Sequence, residues 1–363
     1  MGDPARPDLT GGRAVLVVGA GRSGTSTIAG VLRRLGLHVP QPEVMSDDTN
    51  PKGFGEPQWA VTFHDRLLAR VRVQVSDARP VAWSTTAELA RDDEVVGELA
   101  AWLGEQLAVS PQLVVKDPRL AWFLPLWREA LTRAGAEPRY LTMLRPPSEV
   151  VGSKRTYYNQ HLSDAQGVAA WLNTMLGTEA ATRGTPRTLV RYHALLEGWH
   201  PALLSAGAQL AMPELAAAAE GARAEIDSFV DPGLRRIELD TADLAIPAVL
   251  RDLTERTWSG LDALVTDPDD AAAQVQLDAA RADFEAYYTE CESVSRSTLI
   301  AERQRLRAKI ATLEARAKKQ GRGAASGAGA QQNAQPASRP ASDRKSTRLN
   351  SSHTDISRMP SSA

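Results

Sequence analysis

The sequence predicts an α/β fold: a central parallel sheet covered by helices on both faces, followed by a C-terminal helical extension. Three observations carry that reading. Between Arg13 and Trp199, short apolar runs alternate with helical patterns, as a parallel sheet with crossover helices requires. The run Val15-Leu16-Val17-Val18 passes directly into a glycine loop and then into helical spacing at Ile28, Val31, Leu32 and Leu35. From His200 to Val294 the chain is alanine-rich and helical in pattern.

Taken in order, residues 1–12 are polar and proline-bearing, lack the apolar stretch of a signal peptide, and predict a disordered N-terminus. Strands are expected at Arg13 to Val18, Gln112 to Val115, Arg139 to Leu144 and Thr188 to Arg191. Leu37 to Val39 is a further stub, cut off by Pro40 and Pro42. The α/β domain spans 13–236 in this reading. A helical extension follows over 237–294, with helices at Pro247 to Leu264 and Ala271 to Tyr288. Pro247 suits a first helical position, where its missing N–H has no helical partner to lose.

Over 295–319 the chain is charged and carries Leu299, Leu306, Ile310 and Leu313 at near-heptad spacing. That spacing predicts a short coiled-coil-like helix or a helix packed on the rest of the chain, and in the first case a homodimer seam. Residues 320–342, rich in Gly, Ala, Ser, Gln and Pro, read as a disordered linker. The stretch from Asp343 to His353, and again Ser357 to Ala363, resembles the conceptual translation of a sequencing adapter. Residues 343–363 are therefore set aside as an artefact, and the natural C-terminus is expected elsewhere.

Composition narrows the function classes. A net charge of −2 over 363 residues argues against non-specific nucleic-acid binding, which needs a basic surplus. The single cysteine, Cys291, cannot form an intrachain disulfide. No apolar run reaches membrane-spanning length, so stable membrane insertion is not expected and the default location is cytoplasmic.

The chemistry concentrates in Gly19-Ala20-Gly21-Arg22-Ser23-Gly24-Thr25-Ser26. A buried strand, a tight loop and a helix N-terminus make an anion site, because first-turn N–H groups lack helical partners and the helix dipole is positive there. Gly19, Gly21 and Gly24 fit the dinucleotide pattern, but Glu43, the candidate ribose clamp, follows a proline-broken stub rather than a second strand. Gly19, Gly24 and Ser26 fit the nucleotide-kinase loop, but Thr25 stands where its lysine belongs. A third loop type carries its cation earlier, as Arg22 does here.

That third type leads to a family. Arg22-Ser23-Gly24-Thr25-Ser26 after a strand resembles the 5′-phosphosulfate loop of sulfotransferases that use 3′-phosphoadenylyl sulfate (PAPS), whose cytosolic members usually carry lysine in place of Arg22. The strand ending at Leu144, then Arg145, then Ser153 eight residues on, resembles the family's 3′-phosphate clamp. The block from Asn50 to Glu56, the run Lys116-Asp117-Pro118-Arg119 and the block from Val190 to Trp199 resemble recurrent segments of bacterial members, in the family's order. Gly55 replaces an aromatic usually found before the glutamate, and His193-Ala194 replaces an acidic pair after the tyrosine. The likeness covers Arg13 to Arg236.

The resemblance implies a three-layer, P-loop NTPase-like fold, PAPS as donor and its desulfonated product PAP, no metal, and a small-molecule or glycan acceptor. Gly21, Arg22, Ser23, Gly24, Thr25 and Ser26 would hold the 5′-phosphate. Arg145 and Ser153 would hold the 3′-phosphate, the alternative being an arginine that starts a helix and a solvated serine. Tyr192 would lie beside the adenine or serve as core. The catalytic set would be Arg22, Lys116 on the transferring sulfonate, and Glu56 or His64 as the base that takes the acceptor's proton. Arg119 would orient the acceptor, unless Lys116 to Arg119 is a turn closed by a local ion pair. Two other classes stand beside this one: a P-loop nucleotide kinase or NTPase, and a non-catalytic nucleotide-binding module.

Overall fold

The computed structural model describes residues 11–46, 53–158, 162–231, 233, 237 and 239–328, with residues 157, 158 and 319–328 described by backbone alone. The expected termini at 1–10 and 329–363 lie outside the described residues, as do Asn50 to Lys52 of the motif before Glu56.

Four strands form one parallel sheet in the order β2-β1-β3-β4: β1 (Gly12–Val18), β2 (Gln112–Lys116), β3 (Ala136–Leu144) and β4 (Arg187–Arg191). The expected strands are present with small changes of length. Leu37 to Val39 contributes only an isolated bridge, His38 against Leu113, because Pro40 and Pro42 cannot continue a ladder.

The alternation along β1 divides the core. Ala14, Leu16 and Val18 face helices α2 (Gln58–Val71), α3 (Val81–Ala87), α4 (Asp93–Val109) and α5 (Leu124–Arg133). Val15 and Val17 face α1 (Thr25–Arg34), α8 (Tyr192–Gln209) and α9 (Glu214–Phe229). Successive strand side chains point to opposite faces, so this one strand supplies both halves of a three-layer α/β fold. On the first face Trp59 stacks on Trp102 at 4.5 Å between ring centroids, tying α2 to α4.

Helices α6 (Pro147–Tyr158) and α7 (Asp164–Thr182) follow β3. Ser163 and Gln166 close a capping box at the start of α7. Helix α10 (Ala248–Thr266) packs on α7 and on β4, where Arg191 pairs with Asp262, and so covers the β4 edge. Pro247 caps α10 in an extended conformation; the first helical residue is Ala248.

The two helices expected at Ala271 to Tyr288 and over 295–319 are one helix, α11 (Ala271–Ala328). Neither Gly nor Pro lies between Thr289 and Ser295 to interrupt it, and alanines carry it into the span that reads as linker. The chain divides at Ala286 into a compact unit and a helical segment that starts at Tyr287. Among the described residues, no helix is long and apolar enough to cross a membrane.

From β1 the chain moves to β2 on one side, then back across to β3 on the other. The strand order therefore reverses between β1 and β3, and ligands of open parallel sheets gather at such a crevice. Gly19 marks it, with φ of +133° and a notional Cβ that would lie 2.7 Å from the Met143 carbonyl oxygen. Gly19→Ala should destabilise the fold by about 1–3 kcal/mol, read as a lower urea midpoint with unchanged slope.

Candidate active site

The loop between β1 and α1 takes its shape from backbone conformations that side chains resist. Gly19, Arg22 and Gly24 all have positive φ, and Arg22, at +77°, is held there despite its Cβ. Gly24 caps α1 without any side-chain hydrogen bond, so first-turn N–H groups remain for a ligand. Gly24 is also where Tyr192 packs, since a Cβ at that position would lie 2.2 Å from the tyrosine ring. The Oγ atoms of Ser23 and Ser26 are buried without a hydrogen-bond partner among the described residues. Buried hydroxyls left open in this way, next to a helix start, make a cradle for an anion.

The Arg145-to-Ser153 motif closes over that loop. Arg22 Nε donates to Ser153 Oγ at 2.9 Å, and Arg145 Nη1 donates to the Arg22 carbonyl at 2.9 Å. Arg145 Nε donates to Glu149 Oε2 at 2.9 Å, and His193 Nε2 lies 3.0 Å from the same oxygen. The Arg145 guanidinium also sits over the Tyr192 ring, 4.5 Å from its centroid. Tyr192 is thus wedged between the loop and Arg145, within the core on that face of the sheet.

Lys154, which the sequence reading passed over, follows Ser153 on α6 and donates to Ser76 Oγ at 2.9 Å. Burial, and then the Arg22 cation, lower its pKa to about 8. Its position directly after the clamp serine was the available signal.

On the other side of β1, Lys116 ends β2 in register with Val17. Its Nζ donates to Glu56 Oε1 at 2.5 Å, and both side chains are fully buried. Gly55, with φ of +65°, lies against Ala29 of α1, which brings the Glu56 segment to the same helix that ends the anion loop. Burial pushes the Glu56 carboxyl up, with the Lys116 ammonium opposing. Glu56 Oε2 is buried with no hydrogen-bond partner among the described residues.

His64 and Arg119 do other work. His64 belongs to the buried face of α2 with Ala60, Phe63 and Leu67. Trp127 Nε1 donates to its Nε2 at 2.9 Å, so the ring proton sits on Nδ1, 2.6 Å from Asp117 Oδ2. Arg119 Nη1 donates to Asp117 Oδ1 at 2.8 Å, and its Nε donates to Asp65 Oδ1 at 2.5 Å. The Lys116-to-Arg119 run is therefore a turn closed by a local ion pair, anchored to α2 through His64 and Asp65. Both His64 nitrogens are engaged and Arg119 is held by two carboxylates, an arrangement that positions Lys116.

Burial acts to raise the Asp117 carboxyl, but Arg119 and His64 together hold it far below the usual carboxylate range. Among the described residues no three His, Cys, Asp or Glu side chains gather into a group able to hold a metal.

No family model matches this chain, and neither does any curated protein. Two solved structures are similar to it. A sulfotransferase domain from the Synechococcus PCC 7002 olefin synthase is 16% identical, covering 71% of this chain and 98% of that one, with a TM-score of 0.41. A sulfotransferase domain from the curacin biosynthetic pathway is 17% identical, covering 70% and 98%, with a TM-score of 0.37.

The unfolded chain protonates Asp117 near its ordinary value of about 3.9, well before the folded protein does. Its contribution to stability should be complete above about pH 4 and fall away as the pH drops below it. Asp117→Asn should flatten that acid limb in urea unfolding series. His64→Phe, which leaves the Trp127 N–H and an Asp117 oxygen unsatisfied in the core, should lose about 2–4 kcal/mol at neutral pH.

Proposed function

We propose that this chain is a sulfotransferase that moves the sulfuryl group of PAPS to a hydroxyl or amine of a small-molecule or glycan acceptor. The observation that carries the reading is the hydrogen bond between Arg22 and Ser153, which joins two anion grips. A nucleotide with phosphate on both the 3′ and 5′ carbons of one ribose carries two anionic groups a sugar ring apart. Two neighbouring grips suit such a molecule.

In this reading the loop N–H groups of Ser23 to Ser26, the hydroxyls of Ser23, Thr25 and Ser26, and Arg22 hold the 5′-phosphate. They also take up the negative charge that develops on the leaving oxygen. Arg145 and Ser153 hold the 3′-phosphate, with Tyr192 packed beneath the loop. Glu56 Oε2 takes the acceptor's proton as the acceptor oxygen or nitrogen bonds to sulfur and the bond from sulfur to the 5′-phosphate oxygen breaks, releasing PAP. Lys116 bears on the equatorial sulfonate oxygens. His64, Asp117 and Arg119 act through Lys116 by fixing the turn that carries it.

Calorimetry with PAP, ATP and NAD tests the reading. PAP should bind, and Arg145→Ala should weaken it about 10–100-fold through loss of charge-assisted hydrogen bonds. Binding of ATP with magnesium in place of PAP would assign the site to a nucleotide kinase instead. Glu56→Gln should keep PAP affinity while turnover of labelled PAPS falls about 10²–10⁴-fold.

PAP affinity should also decline as the pH rises through about 8, where Lys154 loses its proton. In Lys154→Met that decline should be absent. An unchanged pH profile in the variant removes Lys154 from the anion site.

A further inference from the structure

From Thr289 to Lys318 every side chain of α11 is exposed. Within that span Leu299, Leu306 and Leu313 recur every seventh residue, each about half exposed, and Ile310 falls between the last two. An aligned leucine stripe along a solvated helix is an apolar face with nothing on it among the described residues.

We propose that this face pairs with the same face of a second copy of the chain, as a parallel, in-register two-stranded coiled coil over residues 296–317. With the three leucines at the d positions, the a positions are Arg296, Arg303, Ile310 and Ala317. Leucine at d with a β-branched residue at a, as Ile310 supplies, favours two strands, and charged residues inside the seam set register. Arg296 and Arg303 are those residues, Arg303 adjacent in a parallel pair to Glu302 of the second copy.

The flanking charges choose the direction. The g positions hold Glu302, Lys309 and Arg316, and the e positions hold Ile300, Arg307 and Glu314. In a parallel pair each g residue faces the e residue five positions on in the other helix. Glu302 then meets Arg307, and Lys309 meets Glu314, each pair occurring twice by symmetry. Turning one helix around over the same seam sets Lys309 against Lys309 and Arg307 against Arg307, and leaves Glu302 against Arg316, twice by symmetry, as its opposite-charge pairs. Arg305 and Lys318, which take no part in these pairs, fall at the outward c and b positions. The parallel arrangement therefore has four opposite-charge flanking pairs and no like-charge one, and the reversed arrangement has two of each.

Sedimentation of the full chain between 1 and 100 µM should show a concentration-dependent dimer. In Leu299→Lys/Leu306→Lys/Leu313→Lys the dissociation constant should rise by about a hundredfold or more. PAP binding reports whether the variant still folds, since the substitutions lie outside the α/β unit; if PAP does not bind, circular dichroism and the urea midpoint serve instead.

Direction is read in a Cys291→Ser background. Leu299→Cys should form a disulfide with its own copy under mild oxidation, whereas Arg305→Cys should not. Glu302→Lys should weaken the dimer, and adding Arg307→Glu should restore it. A monomer at 100 µM, a dimer untouched by the triple substitution, or a failure of Leu299→Cys to cross-link would each overturn the proposal. So would a monomer that instead binds vesicles containing anionic lipid through this helix.

Discussion

The hydrogen bond from Arg145 to the carbonyl of Arg22 holds the cleft together. It fixes the end of β3 to the loop after β1 and keeps Arg22 in a left-handed conformation that its own Cβ resists. With the carbonyl turned to Arg145, the Arg22 guanidinium reaches Ser153 on α6, the helix that follows β3. Tyr192 fills the space behind, where Gly24 alone leaves room for its ring.

Charge is uneven around this contact. Arg22 lies beside both Arg145 and Lys154, while Glu149 serves Arg145 and His193. Burial first, and then the nearby Arg22 cation, lower the pKa of Lys154. An anion entering the loop would offset that cation, and the open hydroxyls of Ser23 and Ser26 stand ready to bond it. The other side of β1 is balanced by contrast. There Glu56 meets Lys116, and Asp117 is shared by His64 and Arg119 in a fully buried chain that begins at Trp127.

Much of this could be read from local pattern. The β-branched run before Gly19, the glycine loop and the spacing of Arg145 and Ser153 all record chemistry within a few residues of chain. They placed the strands, the loop and the clamp on the right elements. His64 and Arg119 show where such reading ends. A histidine two turns along a helix and an arginine in a turn look available on paper, yet one is buried with its Nε2 bonded to Trp127 and the other is locked between Asp117 and Asp65. Lys154 shows the reverse, a lysine beside a clamp serine whose meaning comes from Arg22, a residue distant in sequence.

The sequence by itself determined most of the secondary elements, the glycine turn between β1 and α1 and the heptad stripe of α11. Each depends on periodicity and turn chemistry among near neighbours. Only the tertiary structure decided that the Arg22 and Arg145 loops share one crevice, that Glu56 pairs with Lys116, and that His64 turns inward. Those outcomes depend on strand order and on the helices that cross between strands. The crossover from β2 to β3 passes β1 and sets two distant loops side by side, and nothing within either loop specifies its neighbour.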